Sequence, residues 1–422
     1  MCPDGKLEES LEALLELPLE LWIDILRLAG QVPDPLEYPL VIHPACSSNI
    51  LSSYARKRYR DALATKKHIL GVCRQWYALT IPFLYEHIVI ENLDTMQRIL
   101  AVVDGLPTIR EPDDTQKLGC FIKRLDLVVP ELQWTGNGDS TYPYSLAPQL
   151  CKLAPNLITL NTSSTGDARS FPLSNVISPR LEYLYWINTF RLPVSQWVTF
   201  MDAHPRLKFI DPPFFSSSSS DCEGYQAPWR TTQWPSLREL VLHQDRQSSF
   251  WASDFPPGAF PNLQKIEFTY RTMSSHLKEV LSVHGAALTS LHLHFGDLDF
   301  AVMFPVLETM ATYCPHLDEL MVSFAYLPLK QDVDLPPTRS KTRIVPRITI
   351  LALQHNGEQY KDFGACALLW VNICPTIKTI RIFDETNVIQ LKEQSEGMVE
   401  EFLKNCTSRL ISVEDNFGNL LN

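Results

Sequence analysis

Apolar positions along the chain follow two different rhythms. In the first hundred residues they recur at helical spacing. Leu7, Leu11, Leu14 and Leu15 mark one stretch, and the pattern resumes after Pro18 with Leu21, Trp22, Ile25, Leu28 and Ala29. This predicts helix over 7–28, with Pro18 at a favoured first position and Glu20 placed to complement the helix dipole. Pro33, Pro35 and Pro39 then break the pattern. A basic cluster, Arg56, Lys57, Arg58 and Arg60, sits in the segment that follows; it reads as a solvated helix face, with partner docking or nuclear import as the other reading. Ile69, Val72, Cys73 and Trp76 fall at i, i+3, i+4 and i+7, which predicts a second helix that Pro82 ends or kinks, and His87–Ile90 reads as a short strand.

After residue 100 a shorter figure takes over: apolar, two variable, apolar, one variable, usually apolar. It appears at Ile122/Leu125/Leu127, Leu157/Leu160/Thr162, Leu181/Leu184/Trp186, Leu207/Ile210/Pro212 and Leu237/Leu240/Leu242. It continues at Leu263/Ile266/Phe268, Leu288/Leu291/Leu293, Leu317/Leu320/Val322, Ile348/Leu351/Leu353 and Ile377/Ile380/Ile382, with a weak last copy at Leu410/Val413. From Leu157 to Ile377 the leading residues lie 24, 26, 30, 26, 25, 29, 31 and 29 apart, close to the period of a leucine-rich repeat. A proline often precedes the leading residue by two: Pro155, Pro179, Pro205, Pro235, Pro261, Pro315, Pro346 and Pro375. Amphipathic stretches at 146–153, 195–203, 275–284, 301–313, 365–373 and 396–405 complete a unit of helix, proline-marked turn and short strand. One such unit cannot bury its apolar edge alone, so the units must stack.

The expected fold is therefore α/β: a small helical domain over 1–92 with an inserted segment at about 30–64, then a leucine-rich-repeat solenoid of about ten repeats over 93–422. Parallel strands would line its concave face and helices its outside. Two long loops, 213–234 and 328–346, interrupt the repeats; loops of that length are commonly functional or disordered.

Composition narrows the function. A net charge of -11 disfavours a general nucleic-acid binder, which needs a basic surface for phosphates. The ten cysteines are scattered, without a CxxC pair, and read as reduced, mostly buried thiols of a cytoplasmic or nuclear protein. The acidic N-terminus is unlike a secretory signal, and no apolar run is long enough to span a membrane. Neither nucleic acid nor membrane is an expected partner.

Specific motifs are confined to the N-terminal region. Leu17-Pro18-Leu19-Glu20-Leu21-Trp22 with Ile25-Leu26 resembles the opening of an F-box. Leu70-Gly71-Val72-Cys73-Arg74-Gln75-Trp76 resembles its second half, and Ile81-Pro82-Phe83-Leu84-Tyr85-Glu86 is similar to the segment that follows in F-box proteins abundant in fungi. The long insertion at Ala29–Thr65 departs from the usual short connection between the halves. The resemblance implies a Skp-type adaptor as partner and, through it, a cullin. It assigns adaptor binding to Leu17, Pro18, Leu19, Leu21, Trp22, Ile25, Leu26, Val72 and Trp76, although a local core is the favoured reading for Val72 and Trp76. The function implied is substrate recognition for a ubiquitin ligase; the alternative is a repeat scaffold with no degradative role.

No P-loop, GxGxxG, HExxH or GxSxG motif is present, so neither catalysis nor a cofactor is expected. His292 and His294 share a strand face and suit a metal, but no acidic or cysteine partner stands at matching sequence spacing, and they are expected to be ordinary face residues. Alternation along each strand turns Tyr185, Ile187, Val241, His243, Glu267, Thr269, His292, His294, Met321, Ser323, Arg381 and Phe383 away from the core. A protein substrate is expected to dock on this exposed strip, principally at Tyr185, His243, His292, His294, Met321, Arg381 and Phe383; the alternative is an ordinary solvated face with binding at the loops or the C-terminal end.

Overall fold

The computed structural model describes residues 18–30, 53–105, 117–128, 142–162, 178–186, 191–192, 194–211, 214–215, 233–243, 258–270, 275–297, 300–326, 348–355, 367, 370–382, 387–388, 396–415 and 418–421. Leu17, Ile187, Phe383, the stretch 7–17, Pro346 and most of the two long loops lie outside these residues. The chain forms two compact units, Met1–Asn188 and Thr189–Asn422.

The described residues of the first unit begin with three helices, α1 (Leu19–Gly30), α2 (Ser53–Leu70) and α3 (Arg74–Glu86). The single helix expected around Ile69–Trp76 is broken. Helix α2 ends at Leu70, Gly71 and Val72 turn, and Cys73 starts α3 as its N-cap, its Sγ accepting from the Trp76 N–H at 3.4 Å. Pro82 does not end α3, which runs on to Glu86. The basic cluster falls on α2, where Lys57 and Arg60 are exposed. Leu26, Ile69, Leu79 and Phe83 form the core of the three helices, with Trp22, Ile23 and Trp76 packed against it.

Strand β1 (His87–Ile90) then leads into helix α4 (Leu93–Gly105), strand β2 (Arg124–Leu127), helix α5 (Tyr142–Leu153) and strands β3 (Thr159–Thr162) and β4 (Tyr183–Trp186). Helix α4 was not anticipated, though Met96, Leu100 and Val103 give it a buried face at i, i+4 and i+7. The strands β1 to β4 pair in sequence order, all parallel.

The second unit carries a short strand pair, β5 (Arg191–Leu192) with β7 (Phe214–Phe215), and a parallel sheet. The sheet contains β6 (Phe209–Asp211), β8 (Glu239–His243), β9 (Lys265–Tyr270), β10 (Ser290–Asp297), β11 (Glu319–Tyr326), β12 (Ile350–His355), β13 (Thr379–Ile382) and β14 (Ser412–Asp415), again in sequence order. Helices α6 (Val194–Ala203), α7 (Ser275–His284), α8 (Phe300–Tyr313) and α9 (Glu396–Ser408) match four of the anticipated amphipathic stretches. This is the leucine-rich-repeat architecture.

The register shows why. In the second unit Ile210, Leu240, Ile266, Leu291, Leu320, Leu351, Ile380 and Val413 are successive partners across the strands, and all are buried. Leu125, Leu160 and Leu184 do the same in the first. The prolines mark a recurring turn. In Ala154-Pro155-Asn156-Leu157 the Leu157 N–H donates to the Ala154 carbonyl, and the same closure recurs at Leu181, Leu207, Leu237, Leu263, Leu317 and Ile377. Proline suits the second position of such a turn because its φ is already set. Strands β3, β4 and β8 to β13 each begin with two N–H groups donating to one carbonyl of the preceding repeat, as Thr289 and Ser290 do to Gln264, and Asp318 and Glu319 to Thr289. At Gly285 a Cβ would come within 2.7 Å of the Tyr313 carbonyl oxygen, so the next repeat's approach excludes a side chain there.

The last copy departs from expectation. Leu410 is 90% exposed, and Ile411 is the buried residue in its place. The cause is the end of α9: the Ile411 N–H donates to Cys406 and the Leu410 N–H to Thr407, the two bonds of a Schellman cap, and Leu410 takes the left-handed position with φ 59°. The described cysteines are all free, with Cys151, Cys314, Cys374 and Cys406 buried; Cys2, Cys46, Cys222 and Cys366 lie outside the described residues.

Two outcomes follow from this packing. Leu291→Ala should lose ~2–5 kcal/mol in urea denaturation, because a cavity opens between two neighbouring repeats; an unchanged midpoint would contradict the ladder. Leu410→Gly should gain about 1 kcal/mol, since the left-handed conformation strains a leucine and its exposed side chain contributes no burial.

Candidate functional site

Two surfaces hold the residues singled out by sequence. The first is helix α1. Residues 21, 25 and 28 fall on one stripe of a helix, and Leu21, Ile25 and Leu28 are all exposed, Leu28 at 70%. Leu26 faces inward, and Trp22 is half-buried against Trp76, ring centroids 5.4 Å apart. Pro18 and Leu19 are exposed at the helix start, where the Pro18 carbonyl accepts from Leu21 and Trp22. Val72, expected to fill a local core, instead stands in the turn between α2 and α3, 59% exposed. Of the seven large apolar side chains exposed among the described residues, five belong to this small helical group. The proposed adaptor residues thus separate into an outward set (Pro18, Leu19, Leu21, Ile25, Val72) and a supporting set (Trp22, Leu26, Trp76).

A buried polar cluster ties the helices to the first strands. His87 Nε2 lies 2.6 Å from Asp126 Oδ2, while Arg124 donates to both Asp126 oxygens at 2.9 and 3.2 Å. Burial opposes ionisation of Asp126, but Arg124 and His87 outweigh it and hold the carboxyl well below the usual range. Helix α2 joins the cluster through Tyr59, whose hydroxyl donates to the His87 carbonyl at 3.4 Å; burial pushes its pKa up to about 12. Lys66 reaches from the same helix to the Phe83 carbonyl in the last turn of α3 at 2.8 Å.

The second surface is the face of the strands opposite the ladder. Tyr185, His292, His294 and Met321, expected to be exposed, are buried. Parallel strands only ~4.8 Å apart press equivalent side chains of successive repeats against one another, and that contact covers them. What remains partly exposed in the second unit is a charged set: Glu239 with Lys265 at 3.4 Å, and Arg381 between Glu414 at 3.2 Å and Glu319 at 3.6 Å. His243 is in β8, aligned with Thr269.

His292 and His294 do have an acidic partner. Glu267 stands opposite His292 in the register of β9 and β10. His294 Nε2 lies 2.9 Å from Glu267 Oε1, and His292 Nδ1 lies 3.3 Å from Oε2. Burial, reinforced by His294, lowers the His292 pKa to about 4; burial opposes ionisation of Glu267, but the two histidines hold it well below its ordinary value. The sequence carried this signal: Glu267 and His292 are 25 residues apart, one repeat, so they occupy the same position in successive strands.

No protein-family model and no curated protein matches the chain. Among solved structures, the leucine-rich repeat-containing protein LegL7 from Legionella pneumophila aligns over 91% of this chain and 92% of its own, at 14% identity and a TM-score of 0.34. The repeat architecture stands on the ladder and its register. No described helix is long and apolar enough to cross a membrane.

The buried cluster generates a pH prediction. A carboxyl whose pKa is lower folded than unfolded (about 3.9 unfolded) stabilises fully above about pH 5 and loses that contribution as pH falls towards the folded value. Asp126→Asn should therefore lower stability at pH 7 and flatten the loss between about pH 5 and 2. Urea denaturation across that range checks both effects.

Proposed function

We propose that this chain is a substrate-recognition subunit of a Skp–cullin–F-box type ubiquitin ligase. In this reading the N-terminal helices hold a Skp-type adaptor and the repeats hold a protein substrate. The observation that carries it is the apolar stripe Leu21, Ile25 and Leu28 with Val72, left exposed by helices whose core is already filled by Leu26, Ile69, Leu79 and Phe83. Contiguous exposed apolar surface marks interaction sites in soluble proteins. Leu21, Ile25 and Val72 lie within the segments that resemble an F-box. Ligase chemistry would belong to other subunits.

The substrate would meet the strand face, where Glu239, Lys265, Glu319, Arg381 and Glu414 remain accessible. Charged residues at accessible positions steer encounter and set specificity more than they add affinity. His292, His294 and Met321 are buried on the same face, so substituting them would test folding before binding.

Co-expression with a Skp-type adaptor tests the reading. The double variant Leu21→Ala/Ile25→Ala should fold normally, because both side chains are exposed, and should bind the adaptor at least ~30-fold more weakly, on the order of 2 kcal/mol. Full adaptor binding by the folded variant would remove the assignment. Co-purification of a cullin separates the ligase subunit from a repeat scaffold with no degradative role.

A further inference from the structure

We propose that Glu267, His292 and His294 form a binding site for a zinc-class divalent cation on the strand face of the second unit. The site is independent of the adaptor reading, since it involves none of the N-terminal helices.

The three residues converge because the repeats are in register. Glu267 comes from β9 and the two histidines from β10, at alternate positions of one strand and so on one face. Their ligand atoms all lie within 4.8 Å of one another. Tetrahedral zinc, with bonds of about 2.0–2.2 Å to nitrogen and oxygen, holds its ligand atoms roughly 3.3 Å apart. His292 Nδ1 lies 3.3 Å from Glu267 Oε2 and His294 Nε2 lies 2.9 Å from Oε1, so each imidazole already faces one oxygen of the carboxylate at about that spacing. Two imidazoles and a carboxylate are a recurrent zinc donor set, with one position left for water.

Zinc needs deprotonated donors, here two neutral imidazoles and a carboxylate. The nearest cation on the same strand, Lys265, is engaged with Glu239 at 3.4 Å.

The surroundings of His292 also fit. Its Nε2 lies 2.8 Å from Ser323 Oγ. A hydroxyl both donates and accepts. When His292 Nδ1–H donates to Glu267, Ser323 can donate to Nε2. When Nδ1 turns its lone pair to a metal, the proton moves to Nε2 and Ser323 accepts it. Such an outer partner fixes the ring and tautomer of a metal-bound histidine. The histidines are buried, while the Glu267 side chain remains one-fifth exposed and supplies the route in.

The test uses the full chain, stripped with a chelator and titrated with Zn²⁺ alone by calorimetry. One ion per chain is expected, together with a rise in melting temperature. Glu267→Gln and His294→Gln should weaken binding by more than tenfold, and Ser323→Ala by about 10–100-fold, with circular dichroism confirming the fold. X-ray absorption on the zinc-loaded wild-type chain gives a readout that needs no variant: two imidazoles, one carboxylate and no sulfur. Failure of the wild-type chain to bind zinc, unchanged affinity in both folded ligand variants, or sulfur coordination would each overturn the site.

Discussion

Everything in the repeat region depends on the stacking of one apolar residue per strand upon its equivalents in the strands on either side. Ile266, Leu291, Leu320 and Leu351 are buried because their neighbours are present, and no repeat could bury its own edge alone. The proline-marked turns and shared carbonyls serve this alignment. They deliver each chain segment to the sheet at the same height, so that the second apolar residue always meets its counterpart. Chain length between strands matters far less, which is why the spacing can vary from 24 to 31 residues without breaking the register.

The same alignment creates chemistry on the opposite face. Equivalent outward positions are stacked as closely as the ladder residues, so the residue types that happen to share a position are forced into contact. Glu267 meets His292, Arg381 meets Glu414, and Lys265 meets Glu239. In the first unit the equivalent stacking gathers His87, Arg124 and Asp126, where a buried carboxylate is tolerated because two donors face it. Polar side chains in a repeat sheet are thus neither simply solvated nor simply structural. Their neighbours one repeat away decide what they can do.

The helical group obeys a different constraint. Three short helices enclose a small core, and α1 can turn only one side to it. Leu26, Trp22 and Ile23 take that side. Leu21, Ile25 and Leu28 are left outside, which is energetically reasonable only where something else covers them.

Periodicity alone determined where the strands of the described repeats from β2 onward lie and which residues form their ladder, because a spacing of three then two leaves a strand-turn unit one way to hide its apolar edge. The prolines were legible for the same reason: their φ is set by their own covalent ring. Other features were settled only by tertiary structure. Sequence could not show that α2 and α3 part at Gly71, because Ile69, Val72, Cys73 and Trp76 satisfy helical spacing whether or not the helix is continuous. It could not show that Leu410 yields its place to Ile411, since a helix cap, not hydropathy, made that choice. Nor could a single strand reveal that Tyr185, His292 and Met321 are covered, or that Glu267 closes on two histidines. Alternation tells which way a side chain points, but its burial and partners come from strands a repeat away, and only the folded sheet brings those within reach.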